Sequence, residues 1–186
     1  MGLKLVLLDR DGVLNEDDKD YVRTPDGLVM IPGSAAAVGR LNAAGVKVAV
    51  VTNQGGMGRG LMTEAALGEI HDRLRRELAA ADAWLDAIYF CPDHPDRPTE
   101  RRKPAPGMLL EALAEFGADP ATTPMIGDAL RDMQAGRALG CPRFLVRTGQ
   151  GEATLSNGLT AEVEPVSIHD DLASVVDTLL DRNGGR

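Results

Sequence analysis

Short apolar runs alternate with segments of helical periodicity along almost the whole chain of 186 residues. Alternation of this kind is typical of an α/β fold built on a parallel sheet. We therefore predict a doubly wound, Rossmann-like parallel sheet with helices on both faces, in a single domain over residues 1–186. The predicted strands are 3–8, 46–51, 86–91, 124–127 and 143–147. The predicted helices are 34–44, 63–81, 106–116, 129–139 and 170–181, with Ser34 and Thr63 as N-caps.

The composition narrows the range of partners. A formal net charge of −8 argues against nucleic acid, although local cations can still create an anion site. Two cysteines, Cys91 and Cys141, are too few for a disulfide framework. No stretch reaches the roughly 18 apolar residues that a membrane span needs. We expect a cytoplasmic monomer that binds neither nucleic acid nor membrane.

Polar clusters stand where the predicted strands end or where a predicted helix begins. Ligands in open α/β sheets bind beyond the carboxyl ends of the strands, so these clusters should meet at one edge of the sheet. The clusters are Asp9 with Asp11, Thr52 to Gln54, Arg102 with Lys103, and Asp128.

Asp9 and Asp11 are two residues apart, so their side chains can point to the same side of the chain. Carboxylates this close repel each other, and a divalent cation would relieve the repulsion. Mg²⁺ prefers oxygen ligands and often shares its shell with a phosphate, and Asp128 would complete such a site. Two simpler interpretations stay open. The Asp-Arg-Asp-Gly segment can be a polar turn, and Asp128 can be a helix N-cap.

Thr52 follows an apolar run directly, and its hydroxyl together with the next backbone N–H groups can hold phosphate oxygens. Lys103 could supply a positive charge to the same phosphate. A simple turn at Thr-Asn-Gln-Gly and a solvated basic patch at Arg101–Lys103 are equally open interpretations.

Four segments, LLDRDGVLN, VVTNQGG, RKPAPG and MIGDALRD, resemble in sequence and order the motifs of the haloacid dehalogenase (HAD) superfamily of phosphatases. The resemblance implies that Asp9 is a nucleophile forming an aspartyl-phosphate and that Asp11 is the general acid and base. It implies that Thr52 and Lys103 stabilise the phosphoryl group. Mg²⁺ would be bound by Asp9, Asp128 and the main-chain carbonyl of Asp11. Substrate contacts are expected from Asn53, Gln54, Gly55, Arg102 and, more weakly, Arg59.

Within the superfamily, TNQGGMGRG, CPDHP, RKPAPGMLL, GDALRDMQA and LVRTG resemble the heptose bisphosphate phosphatases, with histidinol-phosphate phosphatases as close relatives. The resemblance implies release of the 7-phosphate of a heptose 1,7-bisphosphate. Relatives hold a loop with zinc through Cys, His and two more Cys. Here Cys91 is kept, but Asp93 aligns with the His, and Glu100 and Arg101 stand where the later cysteines would fall. Zinc is therefore not expected.

The chain has no room for a large cap domain, so two short segments are expected to wall a pocket for a small phosphorylated sugar. They are a flap at 16–32 and a substrate-side loop at 92–103. The acidic residues Asp17, Asp18 and Asp20 of the flap would suit the cationic histidinol phosphate, which is the second candidate substrate.

Two functions of a different class are also compatible with these motifs. One is a catalytically silent domain that binds a phosphorylated ligand, although binding alone would not need Asp11 as an acid. The other is a nucleic-acid 3′-phosphatase. The negative charge of the chain argues against the nucleic-acid enzyme.

Overall fold

Six parallel strands form one sheet in the computed structural model, which describes residues 2–17 and 20–184. The strands are β1 (Leu5–Leu8), β2 (Lys47–Asn53), β3 (Ala87–Cys91), β4 (Met125–Gly127), β5 (Arg143–Val146) and β6 (Ser167–His169). Their order across the sheet is β3-β2-β1-β4-β5-β6. The chain therefore builds outward in one direction from β1 to β3, and then returns to place β4 on the other side of β1. Ligands bind at such a reversal, beyond the carboxyl ends of the strands.

Helices cover both faces of this sheet. They are α1 (Ser34–Ala43), α2 (Gly55–Gly58), α3 (Glu64–Ala79), α4 (Gly107–Phe116), α5 (Leu130–Leu139), α6 (Gly151–Asn157) and α7 (Leu172–Gly184). Short 3₁₀ helices lie at Pro25–Gly27, Pro120–Thr122 and Ala161–Val163. No helix of the described part of the chain is long and apolar enough to cross a bilayer.

Alternation along β1 divides the core into two layers. Val6 and Leu8 pack into a cluster shared with α1, α3 and α7, whereas Leu5 and Leu7 pack into a cluster shared with α4. Successive side chains of a strand point to opposite faces, so a run that is apolar throughout can be buried on both. Cys141 lies in the second cluster, and both cysteines are free and buried.

The predicted doubly wound architecture is confirmed, and the five predicted strands and five predicted helices are all present. Thr63 is an N-cap as expected, because its hydroxyl accepts a hydrogen bond from the Ala66 N–H at 3.1 Å. Ser34 is not. The cap position belongs to Gly33 with φ of 84°, and the Ser34 hydroxyl instead donates to the Leu14 carbonyl at 2.7 Å.

Three elements, β6, α6 and the four-residue helix α2, were absent from the predicted set. The strand β6 is a three-residue edge strand, Ser-Ile-His, and so lacks an apolar run. The helix α6 has the sequence GEATLSN, in which Thr, Ser and Asn are weak helix formers. The strand β6 and the helix α6 form through packing against the rest of the fold rather than from a local sequence pattern.

Candidate active site

The polar clusters meet at the carboxyl edge of the sheet. Asp9 directly follows β1 and Asp128 directly follows β4, the two strands that flank the reversal in strand order. Thr52 lies near the end of β2, and Lys103 arrives from the long connection before α4. Asp9, Thr52, Lys103 and Asp128 are all buried. The solvated-patch interpretation of Arg101–Lys103 is therefore wrong for Lys103.

Lys103 sits between two carboxylates. Its Nζ lies 2.9 Å from Oδ2 of Asp9 and 2.7 Å from Oδ1 of Asp132. Its main chain is fixed by the Asn53 amide, which donates to the Lys103 carbonyl at 2.9 Å and accepts from the Lys103 N–H at 3.1 Å. Burial alone would lower the pKa of Lys103, but the charges of Asp132 and Asp9 outweigh it and raise the pKa. The side chain is therefore a fixed cation beside Asp9.

Asp132 is a site residue that sequence reasoning missed, although it stands inside the MIGDALRD segment. Its Oδ2 accepts a hydrogen bond from the Ala129 N–H at 3.0 Å, while Oδ1 faces Lys103. Ala129 occupies the cap position of α5, so Asp132 and not Asp128 serves the helix start. The N-cap interpretation of Asp128 is therefore wrong. A second Asp one helical turn after Asp128 was the available signal.

Asp9, Asp128 and Asp132 form a cluster whose oxygens lie within 4.8 Å of one another. Burial first, and then repulsion from Asp132, raises the pKa of Asp9 to about 6 against the opposing effect of Lys103. Burial and the charges of Asp132 and Asp9 raise the pKa of Asp128 to about 8.

Asp128 carries the strongest indication that a cation belongs in this cluster. Its Oδ1 is buried and has no hydrogen-bond partner among the residues that the structure describes. A buried carboxylate oxygen without a partner is costly, and a hard divalent cation would satisfy it. The donor set of carboxylate oxygens fits Mg²⁺.

The second oxygen of Asp128 is held by a tight turn after β5. The Gln150 N–H donates to Oδ2 at 2.7 Å, and the Thr148 hydroxyl donates to the Gly12 carbonyl at 2.6 Å. A Cβ built on Gly12 or on Gly149 would overlap Oδ2 of Asp128, and both glycines have positive φ. The two glycines thus leave the space into which the carboxylate fits. The turn itself was not among the predicted site segments.

Asp11 lies outside the acidic cluster and is paired with a guanidinium of its own. Its carboxylate accepts three hydrogen bonds from the Arg10 guanidinium, one from Asn15 and one from Gln54. Burial would raise the pKa of Asp11, but Arg10 and these hydrogen bonds outweigh it and lower the pKa. The resting site therefore presents Asp11 as an ionised carboxylate.

Gln54 connects Asp11 to Thr52. Its Nε2 donates to Oδ2 of Asp11 at 3.0 Å and to the Thr52 hydroxyl oxygen at 2.9 Å. Because that hydroxyl accepts from Gln54, its own proton is free to be donated elsewhere. Gln54 is buried, so in this structure it orients its neighbours.

A cavity of about 570 Å³ opens above these residues. Five of the predicted site residues line it: Asp9, Asp11, Asn53, Gly55 and Arg102. Its other lining residues are Asp17, Tyr21, Arg131, Gly149, Gln150 and Ala153. Of these, Asp17 was named only for the second candidate substrate, and the other five were not in the predicted set of site residues.

The remaining predicted residues lie elsewhere. Thr52, Gln54, Lys103 and Asp128 are buried beneath the cavity, while Arg59 is exposed and lies outside its lining. Of the acidic flap residues, Asp17 lines the cavity, and Asp18 falls outside the described residues.

The loop at 92–103 carries Arg102 into this cavity. Arg102 is partly buried, and its Nη1 donates to the Asp93 carbonyl at 3.0 Å. The Asp93 carboxylate in turn accepts hydrogen bonds from the N–H and the hydroxyl of Thr99, at 2.7 and 2.6 Å. These bonds hold the two arms of the loop together.

The fold and this site are those of a HAD-like hydrolase. A sequence model of the HAD-hydrolase-like family matches residues 100–175, which include Lys103, Asp128 and Asp132. The predicted superfamily is thereby confirmed.

Relatives narrow the family further. The D-glycero-beta-D-manno-heptose-1,7-bisphosphate 7-phosphatase of Bordetella bronchiseptica is 43% identical over 178 residues, covering 96% of this chain and 98% of that protein. The protein of the same name from Pseudomonas aeruginosa is 42% identical over 180 residues, covering 97% and 99%. The crystal structure of the D,D-heptose 1,7-bisphosphate phosphatase of B. bronchiseptica, complexed with magnesium and phosphate, superimposes with a TM-score of 0.92 at 42% identity, covering 97% of this chain and 99% of that one. The chain therefore belongs to the D-glycero-D-manno-heptose 1,7-bisphosphate 7-phosphatase family of phosphoric monoester hydrolases.

Replacing Gly149 by Ala should weaken Mg²⁺ binding by roughly 10- to 100-fold, the range typical of lost support for a metal ligand. The reason is that the new Cβ would overlap Oδ2 of Asp128. Gly140→Ala is the matched control, since Gly140 also has positive φ but has no atom within 4 Å of its built Cβ. Both variants should lose about 1–2 kcal/mol of stability from backbone strain. Mg²⁺ titration by calorimetry should separate them, and equal affinities would contradict the packing role of Gly149.

Mg²⁺ affinity should rise with pH between about 6 and about 8, the pKa values of Asp9 and Asp128 in the metal-free protein. Protons compete with the cation for these oxygens, so binding at pH 7 should release about one proton, largely from Asp128. Calorimetry in two buffers of different ionisation enthalpy measures this number. An affinity that stays constant over this range, with no proton released, would contradict the raised pKa values.

Proposed function

We propose that this chain is a Mg²⁺-dependent phosphatase that removes the 7-phosphate from D-glycero-D-manno-heptose 1,7-bisphosphate through an aspartyl-phosphate. The observation that carries the proposal is the buried Lys103 ammonium 2.9 Å from the Asp9 carboxylate, at the floor of an open cavity. A carboxylate in that setting is desolvated, fixed and ready to attack an electrophile. A site that only binds a phosphate has no need of a second carboxylate, Asp11, over the same floor.

The first step is attack by an Asp9 oxygen on phosphorus. The bond from phosphorus to the sugar oxygen breaks, and the leaving alkoxide takes a proton from Asp11. In the second step Asp11 accepts a proton from water as the water attacks phosphorus. The Asp9–phosphate bond then breaks, which releases inorganic phosphate, frees the Asp9 carboxylate and leaves Asp11 protonated, the form that the first step of the next turnover requires.

Asp11 rests in the form required for the second step. Its pKa is lowered because Arg10, Asn15 and Gln54 hydrogen-bond to the ionised carboxylate. For the first step it must carry a proton, so at least one of these hydrogen bonds must be given up when substrate binds. Gln54 is the nearest link to the phosphate, since it also contacts the Thr52 hydroxyl.

Thr52 and Lys103 stabilise the phosphoryl group in this proposal. The free proton of the Thr52 hydroxyl and the Lys103 ammonium can donate to phosphoryl oxygens as negative charge moves onto them. Asn53 and Gly55 line the cavity beside them. Both Lys103 and Thr52 are buried, so no reorganisation is needed when the charge develops.

Mg²⁺ would be held by an Asp9 oxygen, Oδ1 of Asp128 and the main-chain carbonyl of Asp11. When bound, it neutralises charge on the phosphoryl oxygens. Asp132 contributes by holding Lys103 in place. No zinc is expected in the loop at 92–103, where the bonds between Asp93 and Thr99 join the two arms.

The relatives named for heptose 1,7-bisphosphate support the choice of substrate. A bisphosphate brings a second anion, and Arg102 can offer its free N–H groups to it. The flap at 16–32 and the loop at 92–103 would wall the sugar, with Tyr21 and Asp17 facing it. Histidinol phosphate remains the second candidate, because the Asp17 carboxylate could meet its ammonium. A single-domain, monomeric and cytoplasmic enzyme stays a prediction.

Asp9→Asn should abolish turnover and leave the fold intact, because an amide oxygen cannot form the phosphoenzyme efficiently. Phosphate release and thermal melting check the two halves of this expectation. Asp181→Asn, which changes an exposed carboxylate of α7, is the control and should keep wild-type rates. Near-normal turnover by Asp9→Asn would rule out the covalent mechanism.

Substrate choice is tested by phosphate release from heptose 1,7-bisphosphate and from histidinol phosphate, each with Mg²⁺ and with EDTA. We expect a clear preference in kcat/KM for the bisphosphate, loss of activity in EDTA and recovery when Mg²⁺ is restored. A preference for histidinol phosphate would overturn the substrate while leaving the mechanism. Activity undiminished by EDTA would overturn the role of the metal.

A further inference from the structure

A second arginine, Arg131, faces the same cavity as Arg102. It is the second residue of α5 and directly precedes Asp132. Its side chain is partly buried, yet its guanidinium makes no hydrogen bond or ion pair with the part of the chain that the structure describes. A confined guanidinium with all of its N–H donors available is a ready receptor for an anion.

Arg131 lies where this cavity meets a second one. A smaller cavity of about 230 Å³, lined among others by Thr154 and Asn157, adjoins it. Arg131 and Gln150 line both cavities and so form the wall between them. Asp9, the predicted nucleophile, lines only the larger one. A substrate group that reaches from Asp9 toward the smaller cavity therefore passes Arg131.

The carboxylates around the cavity keep Arg131 protonated. Burial opposes the charge of Arg131, but Asp132, Asp9, Asp128 and Asp17 outweigh it and raise its pKa. Burial, with a further contribution from the charge of Arg131, lowers the pKa of Arg102. The two guanidiniums therefore repel each other, and an anion bound between them would relieve that repulsion.

We propose that Arg131 and Arg102 together bind the phosphate that is not transferred, so that Arg131 is a specificity-determining residue for a bisphosphate substrate. The proposal rests on the proposed function. The transferred phosphate already has Lys103 and the cation beside Asp9. Among the cavity-lining residues that the structure describes, Arg102 and Arg131 are the only cations left for a second dianion. Their forks can each donate two parallel hydrogen bonds to phosphate oxygens.

The test compares Arg131→Met, Arg131→Lys and the control Arg137→Met. Met removes the charge with similar bulk, and Lys keeps a charge beside the acidic cluster but loses the fork. Arg137 lies on the same helix, is exposed and lies outside both cavities, so its variant should match wild type. Kinetics on heptose 1,7-bisphosphate and on nitrophenyl phosphate, which has no second anion, give the contrast.

Arg131→Met should raise KM for the bisphosphate by about 10- to 100-fold with a smaller effect on kcat, since the lost contact is present throughout the reaction. The loss in kcat/KM should be at least about 10-fold greater on the bisphosphate than on nitrophenyl phosphate. Arg131→Lys should show the same ordering with a smaller contrast, and it remains informative if the Met variant does not fold. In the double variant that combines Arg102→Met with Arg131→Met, the two losses in kcat/KM on the bisphosphate should not be additive, because both residues contact one group.

Equal losses on both substrates would overturn the proposal and place Arg131 on the transferred phosphate. Wild-type affinity of Arg131→Met for the bisphosphate would overturn it as well. In both cases a wild-type preference for the bisphosphate leaves the proposed function standing. A wild-type preference for histidinol phosphate would instead overturn the substrate and the two-arginine site together.

Discussion

The ion pairs of Lys103 are the contacts on which the rest of the site depends. One buried ammonium joins Asp9 at the end of β1 to Asp132 in the first turn of α5, at 2.9 and 2.7 Å. Asn53 at the end of β2 fixes the Lys103 main chain. Removing the Lys103 ammonium would leave two buried carboxylates without a partner, a change that typically costs about 3–5 kcal/mol. Three segments distant in sequence are thus tied to one point, and the proposed nucleophile is positioned by the same charge that would assist it.

The two neighbouring carboxylates acquire different properties from their different cations. Asp9 shares Lys103 with Asp132 in a crowded acidic cluster, and its pKa is raised to about 6. Asp11 has the Arg10 guanidinium to itself, and its pKa is lowered. Pairs of titratable groups pushed apart in this way are a common basis for separate catalytic roles. The order Asp-Arg-Asp is central to this arrangement, because Arg10 turns inward to Asp11 and is itself buried.

The sequence predicted most of the fold because apolar runs and helical periodicity are local signals. The five predicted strands are those with apolar runs, and the sheet edge where Asp9, Thr52 and Asp128 meet follows from their positions at strand ends. The edge strand β6 and the helix α6 lack such signals. They depend on the sheet against which they pack, so no local pattern predicts them.

The candidate site was predictable where a motif falls at a strand end, and unpredictable where segments without a motif supply the wall. Gln150 and Ala153 come from the turn after β5 and from α6, and nothing in their local sequence indicates that they face this cavity. Arg59 shows the converse. It lies next to a motif and is exposed. Proximity in sequence to a motif is therefore a poor guide to the lining of a cavity.

The buried residues at the floor of the cavity also differ from the residues of its wall in how far substitutions can be tolerated. The floor residues Asp9, Lys103 and Asp132 are buried and share one network of charges, so replacing Lys103 would leave two buried carboxylates without their cation. The wall residues Arg102 and Arg131 are only partly buried, and their guanidiniums retain N–H groups that bond to no described residue. A substitution at Arg102 changes what the cavity can bind without removing a charge from the network of the floor. Selectivity for the distal part of a substrate can therefore vary on this scaffold while the chemistry at Asp9 stays the same.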